Sequence, residues 1–306
     1  MAPIGELPEP FKRNIKGAFT NVNAWVNSLP DLVAECEARW NVTAGAPFAL
    51  SFNYVAPAVT AGGQAVVLKL GVPNPDLGAE IQALEAYAGV GAVRLLDSDS
   101  DRGMMLLERI EPGYTLASLG DDELAARSAA QVMRDLWRPL APDKRFPSAA
   151  EWADGLTKLR ARFSGGTGPF PSQLVDQAES LFQELLQSAE PSVLLHGDLH
   201  HFNILAARRR PWLAIDPKGL AGEPAYEVGA LLRNPDPQLS TNPQVQSRRI
   251  EVLHEELGFA KDRILGWGIA QAVLAAWWSF EDSRTDWQWQ CACAGVLARL
   301  LAQLNT

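Results

Sequence analysis

The chain has 306 residues, enough for one large domain or two lobes with separate cores, and 47% hydrophobic residues supply the material for them. A formal net charge of -9 excludes a protein that coats nucleic acid or an anionic membrane, because neutralising phosphates takes clustered Lys and Arg. Cys36, Cys291 and Cys293 cannot form a disulfide framework or complete a zinc site, so all three are expected as reduced core residues.

No basic segment followed by an apolar run is read at the N-terminus, and a cytoplasmic location is expected. Residues 11 to 40 read as helical: Trp25, Leu29, Leu32, Val33 and Cys36 recur at three- and four-residue steps, with Pro30 near a helix start. Three antiparallel strands are predicted next, over 48–55, 56–60 and 64–70, with Ala61-Gly62-Gly63 as the tight turn between the last two. A Pro- and Gly-punctuated connector, 71–78, leads into a helix over 79–90. Two more strands, 92–99 and 103–110, are split by the turn from Ser98 to Arg102.

From there the pattern is helical over 121–138, 148–163 and 172–189, and again to the C-terminus, with one hairpin after residue 202. The most apolar segment, 264–280, is interrupted by Gly266, Gly268 and Gln271. It is shorter than the about 20 residues that span a bilayer, so it is expected as a buried helix and no membrane partner is expected. Strands first and helices afterwards predict an α+β chain. Its N-terminal lobe, 1–110, is built on an antiparallel sheet, and its larger C-terminal lobe, 111–306, is mainly helical.

The stretch 194-LLHGDLHHFNIL-205 carries the chemistry. After it, Asn203 to Ala206 and Trp212 to Asp216 read as two strands around the turn 207-ARRRP-211. In such a hairpin Asn203 lies beside Asp216, within the ~5 Å spacing of paired strands. An amide oxygen and a carboxylate converging there are hard oxygen ligands suited to Mg²⁺. Asp198 sits five residues before Asn203, and Asp216 thirteen after it. This is the arrangement of protein kinases and their small-molecule relatives: Asp198 as the base for a hydroxyl, Asn203 and Asp216 as metal ligands. The rival reading is a zinc or di-metal hydrolase using His196, Asp198, His200 and His201, which lacks ligands because only the distant His254 remains. His196 is read as a structural histidine of the loop. His200 and His201 face the cleft, or equally well are solvated or serve packing.

The upstream segments fit the same order. Lys69 ends the third strand, where a kinase places the lysine that meets the α- and β-phosphates, and Glu80 is the preferred partner on the next helix, with Glu85 the alternative. Glu108, Arg109 and Ile110 would offer backbone groups to an adenine at the hinge. The loop 51-SFNYVA-56 lacks the glycines of a kinase phosphate loop, which leaves backbone amides with Ser51 or Asn53 to cover the phosphates. No Walker-type loop occurs.

On His196-Gly197-Asp198, Asn203, 89-GVGAVRLLDSD-99, 105-MLLERIEPG-113 and 214-AIDPKGLAGEPAYEVGALLRNP-235, the sequence resembles the aminoglycoside phosphotransferase family of the protein-kinase-like fold. Within it, the resemblance is to the branch of streptomycin 6-kinases and hydroxyurea phosphotransferases. It implies transfer of a γ-phosphoryl group from ATP or another nucleoside triphosphate, with Mg²⁺, to a small cationic or neutral acceptor such as streptomycin or hydroxyurea; another hydroxylated metabolite is the alternative. Glu227 stands where this branch suggests an aspartate. Arg208, Arg209 and Arg210 are expected as a solvated turn, and Trp267, Trp277, Trp278, Trp287 and Trp289 mostly as core. Glu281, Asp282 and Asp286 lie where the fold usually receives its acceptor, but an exposed acidic helix end is the preferred reading of each. Oligomeric state is not legible.

Overall fold

The computed structural model describes residues 7–20, 22–282 and 287–304. By its contacts the chain divides into two compact units, Met1–Glu111 and Pro112–Thr306.

The first unit opens with two helices, α1 (Glu9–Ala18) and α2 (Asn23–Trp40), where a single helical stretch was expected. The break follows from weak helix formers: Gly17 near the end of α1, then extended backbone at Phe19. Pro30 is inside α2 and not at its start, at the cost of one helix hydrogen bond. Asn41, with φ 49, turns the chain into β1 (Val42–Ala44). The antiparallel strands β2 (Tyr54–Thr60) and β3 (Ala65–Leu70) follow. The strand expected over 48–55 is not formed. Residues 45 to 53 are a loop held beside β2 by bonds from Gly45 N to Pro57 O and from Phe48 N to Val55 O, and only Tyr54 and Val55 join the sheet.

Helix α3 (Pro75–Tyr87) begins four residues before its expected start, because Pro75 suits the first helical turn and Asn74 caps it, its side chain accepting from Asp76 N and Leu77 N. Strands β4 (Leu95–Asp99) and β5 (Met104–Glu108) complete a five-stranded sheet in the order β1-β2-β3-β5-β4. Gly71 and Gly103 let β3 and the turn before β5 approach: Gly71 N donates to Gly103 O at 2.9 Å, and a Cβ on Gly103, whose φ is +66°, would lie 2.1 Å from Gly71 O. Alternation puts Tyr54, Ala56, Val66, Leu68, Leu70, Met104 and Leu106 into one core with Phe11, Ile15, Leu29 and Cys36. Lys69 therefore points from the opposite face of the central strand.

The second unit starts with β6 (Pro112–Thr115), α4 (Asp122–Leu136), β7 (Arg138–Pro139), α5 (Ala149–Arg162) and α6 (Ser172–Gln187). Then come β8 (Val193–Leu195), β9 (Ile204–Ala207), β10 (Trp212–Ala214) and β11 (Leu220–Gly222), followed by α7 (Val228–Leu232), α8 (Pro237–Ser240), α9 (Pro243–Leu257), α10 (Lys261–Glu281) and α11 (Trp287–Leu304). The β9–β10 hairpin is not the only sheet material: β6 joins it as a third strand, and β7, β8 and β11 form another three-stranded sheet. Pieces of two to four residues are too short to show a period of two, so the sequence pattern misses them. Helix α10 is the axis of the unit, with Trp267 and Trp277 buried on it. No helix among the described residues is long and apolar enough to cross a membrane.

Candidate active site

In the first unit, Lys69 of β3 and Glu80 of α3 meet as a buried ion pair, with Lys69 2% exposed and Glu80 8%. Glu80 belongs to the second turn of α3, since that helix starts at Pro75, while Glu85 lies on its exposed side. Two desolvated charges rarely repay their burial in stability. Such a pair is informative about function, because its ammonium is held in one place.

Ser51 and Asn53 lie in the loop before β2. The Ser51 carbonyl accepts from Asn14 Nδ2 at 3.3 Å, and Asn53 packs its Oδ1 against Gly71. Glu108 ends β5 with its carboxylate 3.9 Å from Arg94 Nε; the Arg109 guanidinium stacks 4.5 Å over the Phe48 ring; Ile110 is buried.

In the second unit the 196–203 loop and the 215–219 segment are clamped at both ends. β8 pairs with β11 through Leu195 and Leu220, and Lys218 N donates to His196 O at 2.7 Å. The hairpin register sets Ile204 against Ala214, and Ile215 N donates to Asn203 O at 2.9 Å. Asn203 thus faces Ile215, one residue short of the expected partner, and both Asn203 and Asp216 fall outside the strands. Asp216 has φ +57°, which ends the extended run and turns its backbone out of the ladder.

His196 is fully buried and ties the two segments together. Its Nε2 faces the Ile215 carbonyl at 2.8 Å and its Nδ1 accepts from Asp198 N at 3.2 Å, which fixes the neutral tautomer with the proton on Nε2. Burial holds its pKa down, to about 4. Beneath the loop, the buried Glu227 accepts from His196 N at 2.7 Å and Gly197 N at 2.9 Å, one bond to each carboxylate oxygen. Burial pushes the Glu227 carboxyl up to about 7 against the lowering effect of those two donors.

Asp198 is presented above this base, its side chain 27% exposed. Arg233 Nη2 donates to its Oδ1 at 2.8 Å, and His200 Nε2 stands 3.6 Å from Oδ2. The His200 Nδ1 accepts from Phe202 N at 3.2 Å, so a neutral His200 carries its proton on Nε2, toward Asp198. Burial alone would raise the Asp198 carboxyl, but His200, Arg233, Lys218 and His196 together outweigh it and bring it down to about 2. Asn203 Nδ2 donates to Asp198 O at 3.0 Å, which leaves its amide oxygen as the acceptor atom directed elsewhere.

His201 has no part in this. It is 2% exposed and lies 3.5 Å from Arg249 Nη2, in the packing role rather than facing solvent. Arg210 pairs with Asp135 at 3.3 Å on the surface. Glu281 and Asp282 are exposed at the end of α10, and Asp286 lies outside the described residues. Among the described residues no group of three or more His, Cys, Asp or Glu side chains is arranged to hold a metal ion, so the His/Asp hydrolase reading has no ligand set.

Sequence pattern does not single out Arg233, Lys218 or Arg249, and marks Glu227 only as a departure from an expected aspartate. Arg233 stands 35 residues from Asp198 with no spacing that connects them. The one signal available was an Arg directly after an apolar run, 228-VGALLR-233, in a stretch already rich in resemblance.

Comparison with known proteins agrees with this architecture. Residues 39–283 match the model of a family described as aminoglycoside/hydroxyurea antibiotic resistance kinase. A streptomycin 6-kinase of Streptomyces glaucescens is 35% identical over 284 residues, covering 90% of this chain and 92% of that one. A hydroxyurea phosphotransferase of Kitasatospora aureofaciens is 34% identical over 269 residues, covering 84% and 75%. Among solved structures, an aminoglycoside phosphotransferase in ternary complex with ADP and hygromycin B superposes with a TM-score of 0.62 at 14% identity, over 89% of this chain and 98% of that one. The choline kinase of Streptococcus pneumoniae gives 0.62 at 15%, over 88% and 98%, so the fold is the protein-kinase-like α+β fold these enzymes share. A match across most of the chain, on a fold whose loop presents Asp198 and Asn203 side by side, makes this protein a member of the aminoglycoside/hydroxyurea antibiotic resistance kinase family, a small-molecule phosphotransferase acting on hydroxyl groups.

Proposed function

We propose that the enzyme transfers the γ-phosphoryl group of ATP to a hydroxyl of a streptomycin-class aminoglycoside or of hydroxyurea, with residues 1–110 supplying nucleotide contacts and residues 111–306 the catalytic loop and acceptor site. The observation that carries this reading is the Asp198 carboxylate, with Oδ1 taken by Arg233 and Oδ2 turned toward the protonated nitrogen of His200. A carboxylate with a pKa near 2 stays ionised throughout the physiological range. It is a weak base, which suits phosphoryl transfer: in a loose transition state the acceptor proton leaves late, and the main task is to accept its hydrogen bond and aim the oxygen.

Asn203 and Asp216 suit Mg²⁺ by donor type. The Asn203 nitrogen is committed to the Asp198 carbonyl, so its oxygen is the atom available, and an amide oxygen with a carboxylate is hard oxygen ligation. Held there, Mg²⁺ would offset the negative charge of the nucleotide phosphates. Lys69, oriented by Glu80, would meet the α- and β-phosphates. The backbone at Glu108, Arg109 and Ile110 would receive the adenine, and Ser51 and Asn53 would lie near the phosphates on the loop before β2.

A coupled ADP-release screen over streptomycin, other aminoglycosides, hydroxyurea and common hydroxylated metabolites, with Asp198→Ala as control, tests the proposal. Turnover with streptomycin or hydroxyurea that is lost in the variant is expected. Turnover confined to an unrelated hydroxylated metabolite would replace the substrate while keeping the mechanism; an equally active variant would overturn the role of Asp198.

A further inference from the structure

A guanidinium has five N–H donors. Among the described residues Arg233 spends one of them on a side chain, Nη2 on Asp198 Oδ1 at 2.8 Å, although it is only 11% exposed. Arg249 in the same unit shows what a buried arginine ordinarily does. Its Nε and Nη2 grip the Asp122 carboxylate, and its Nη1 donates to the carbonyls of Leu231, Leu232 and Asn234. Those carbonyls lie on both sides of Arg233, and Gln246 Nε2 donates to Leu232 O as well, at 2.7 Å. The backbone that carries Arg233 is therefore braced, while four of its five donors meet no acceptor among the described residues, beside the catalytic-loop carboxylate.

We propose that Arg233 is a catalytic residue that donates those N–H groups to the oxygens of the phosphoryl group in transfer while one nitrogen stays on Asp198. The proposal rests on the reading that Asp198 receives the acceptor hydroxyl. An acceptor oxygen hydrogen-bonded to Asp198 lies about 3 Å from its carboxylate, and in a reactive pose the phosphorus lies roughly 3–3.5 Å from that oxygen. A guanidinium on the same carboxylate is then within reach of the equatorial phosphoryl oxygens. In the step, the bond from acceptor oxygen to phosphorus forms and the bond from phosphorus to the bridging oxygen of the nucleoside diphosphate breaks, its electron pair leaving with the diphosphate. The acceptor proton goes to Asp198; Arg233 neither gains nor loses one. A planar fork suits several phosphoryl oxygens at once, which the exposed Lys218 ammonium, a hydrated point charge, does not.

The experiment compares wild type with Arg233→Ala and Arg233→Lys. Both variants should lose kcat by roughly 10³-fold, the size of an arginine contact to a phosphoryl group in transfer, with KM for the nucleotide little changed, and guanidinium added in solution should restore turnover to Arg233→Ala. The decisive readout needs no acceptor. With Mg²⁺ present, fluoroaluminate should tighten ADP binding to wild type, and both variants should bind ADP normally but lose that gain. If Arg233→Ala fails to bind ADP at all, Arg233→Lys, which keeps the charge without the fork, carries the test. A gain retained in the variants overturns the Arg233 assignment and leaves the phosphotransfer reading standing; no gain in wild type overturns both.

Discussion

Each carboxylate oxygen of Glu227 accepts one backbone N–H of the 196–203 loop, Oε2 from His196 and Oε1 from Gly197. An amide cannot do this, because one of its two ends is itself a donor. Glu227→Gln is expected to leave one buried N–H facing an NH₂ group, at a cost of about 1–3 kcal/mol, and to tilt the loop that presents Asp198. Glu227→Asp keeps both acceptors but is one methylene shorter, so it should be the milder change. Denaturant melts and kcat of the two variants check the order; Glu227→Gln matching wild type in both would remove Glu227 from the support of the loop.

The buried pair of Lys69 and Glu80 separates stability from function. Glu80→Leu removes the carboxylate that meets the buried Lys69 and should destabilise the protein by about 3–5 kcal/mol. The double variant Lys69→Met with Glu80→Leu removes both charges at similar volume and should recover most of that loss. It should nevertheless stay inactive, since the ammonium is gone. A double variant that regained turnover along with stability would show that Lys69 contacts no phosphate.

Much of this was legible in the residues, and the limits have physical causes. The Lys69–Glu80 pair joins regular elements, where side-chain direction follows from the period, and Asp198 and Asn203 are close in sequence within one short loop. The hairpin was placed correctly but read one residue out of register, because a positive φ at Asp216 is invisible in a string of letters. The apolar run 48–55 reads as the first strand in the sequence, whereas the first strand of the fold, Val42–Ala44, is only three residues long. Arg233 and Arg249 were not found because their contacts span 35 and 127 residues of chain, and only the tertiary fold brings those together.

Gly197 occupies φ +84° with its Cα facing three neighbours: a Cβ there would lie 3.1 Å from Trp152 Cη2, 3.2 Å from Leu220 Cβ and 3.3 Å from Lys218 Cβ. Gly197→Ala should therefore pay about 1–2 kcal/mol for the left-handed backbone alone, and more for the crowding. Because the next residue is Asp198, kcat should fall further than the lost stability explains. Adding Trp152→Phe should relieve the contact and leave the backbone cost in place. Full recovery in that double variant would show that sterics alone exclude a side chain at this position.

The buried titratable groups of the loop set opposing pH dependences. His196 titrates near 4 and His201 near 2 in the folded protein, against 6.5 for an ordinary histidine, because burial disfavours their charged forms. Below pH 6.5 the unfolded chain takes up protons that the folded one refuses, so these two histidines make stability fall as the pH is lowered, and His200, shifted the same way, adds to it. Glu227 acts in the other direction. Its folded pKa of about 7, against 4.5, means that the folded protein gains a proton first, and stability rises as pH falls between those values. One proton is worth about 1.4 kcal/mol per pH unit, so between pH 6 and 5 the histidines win by at least about that much per unit. Glu227→Gln removes the opposing contribution and should steepen the acid loss of the unfolding free energy to about twice the slope from His196 and His201 against Glu227 alone. Urea melts of wild type and variant at pH 7, 6 and 5 measure this directly. A variant slope equal to or shallower than that of wild type would mean that Glu227 stays ionised across the range and that its two backbone donors outweigh its burial.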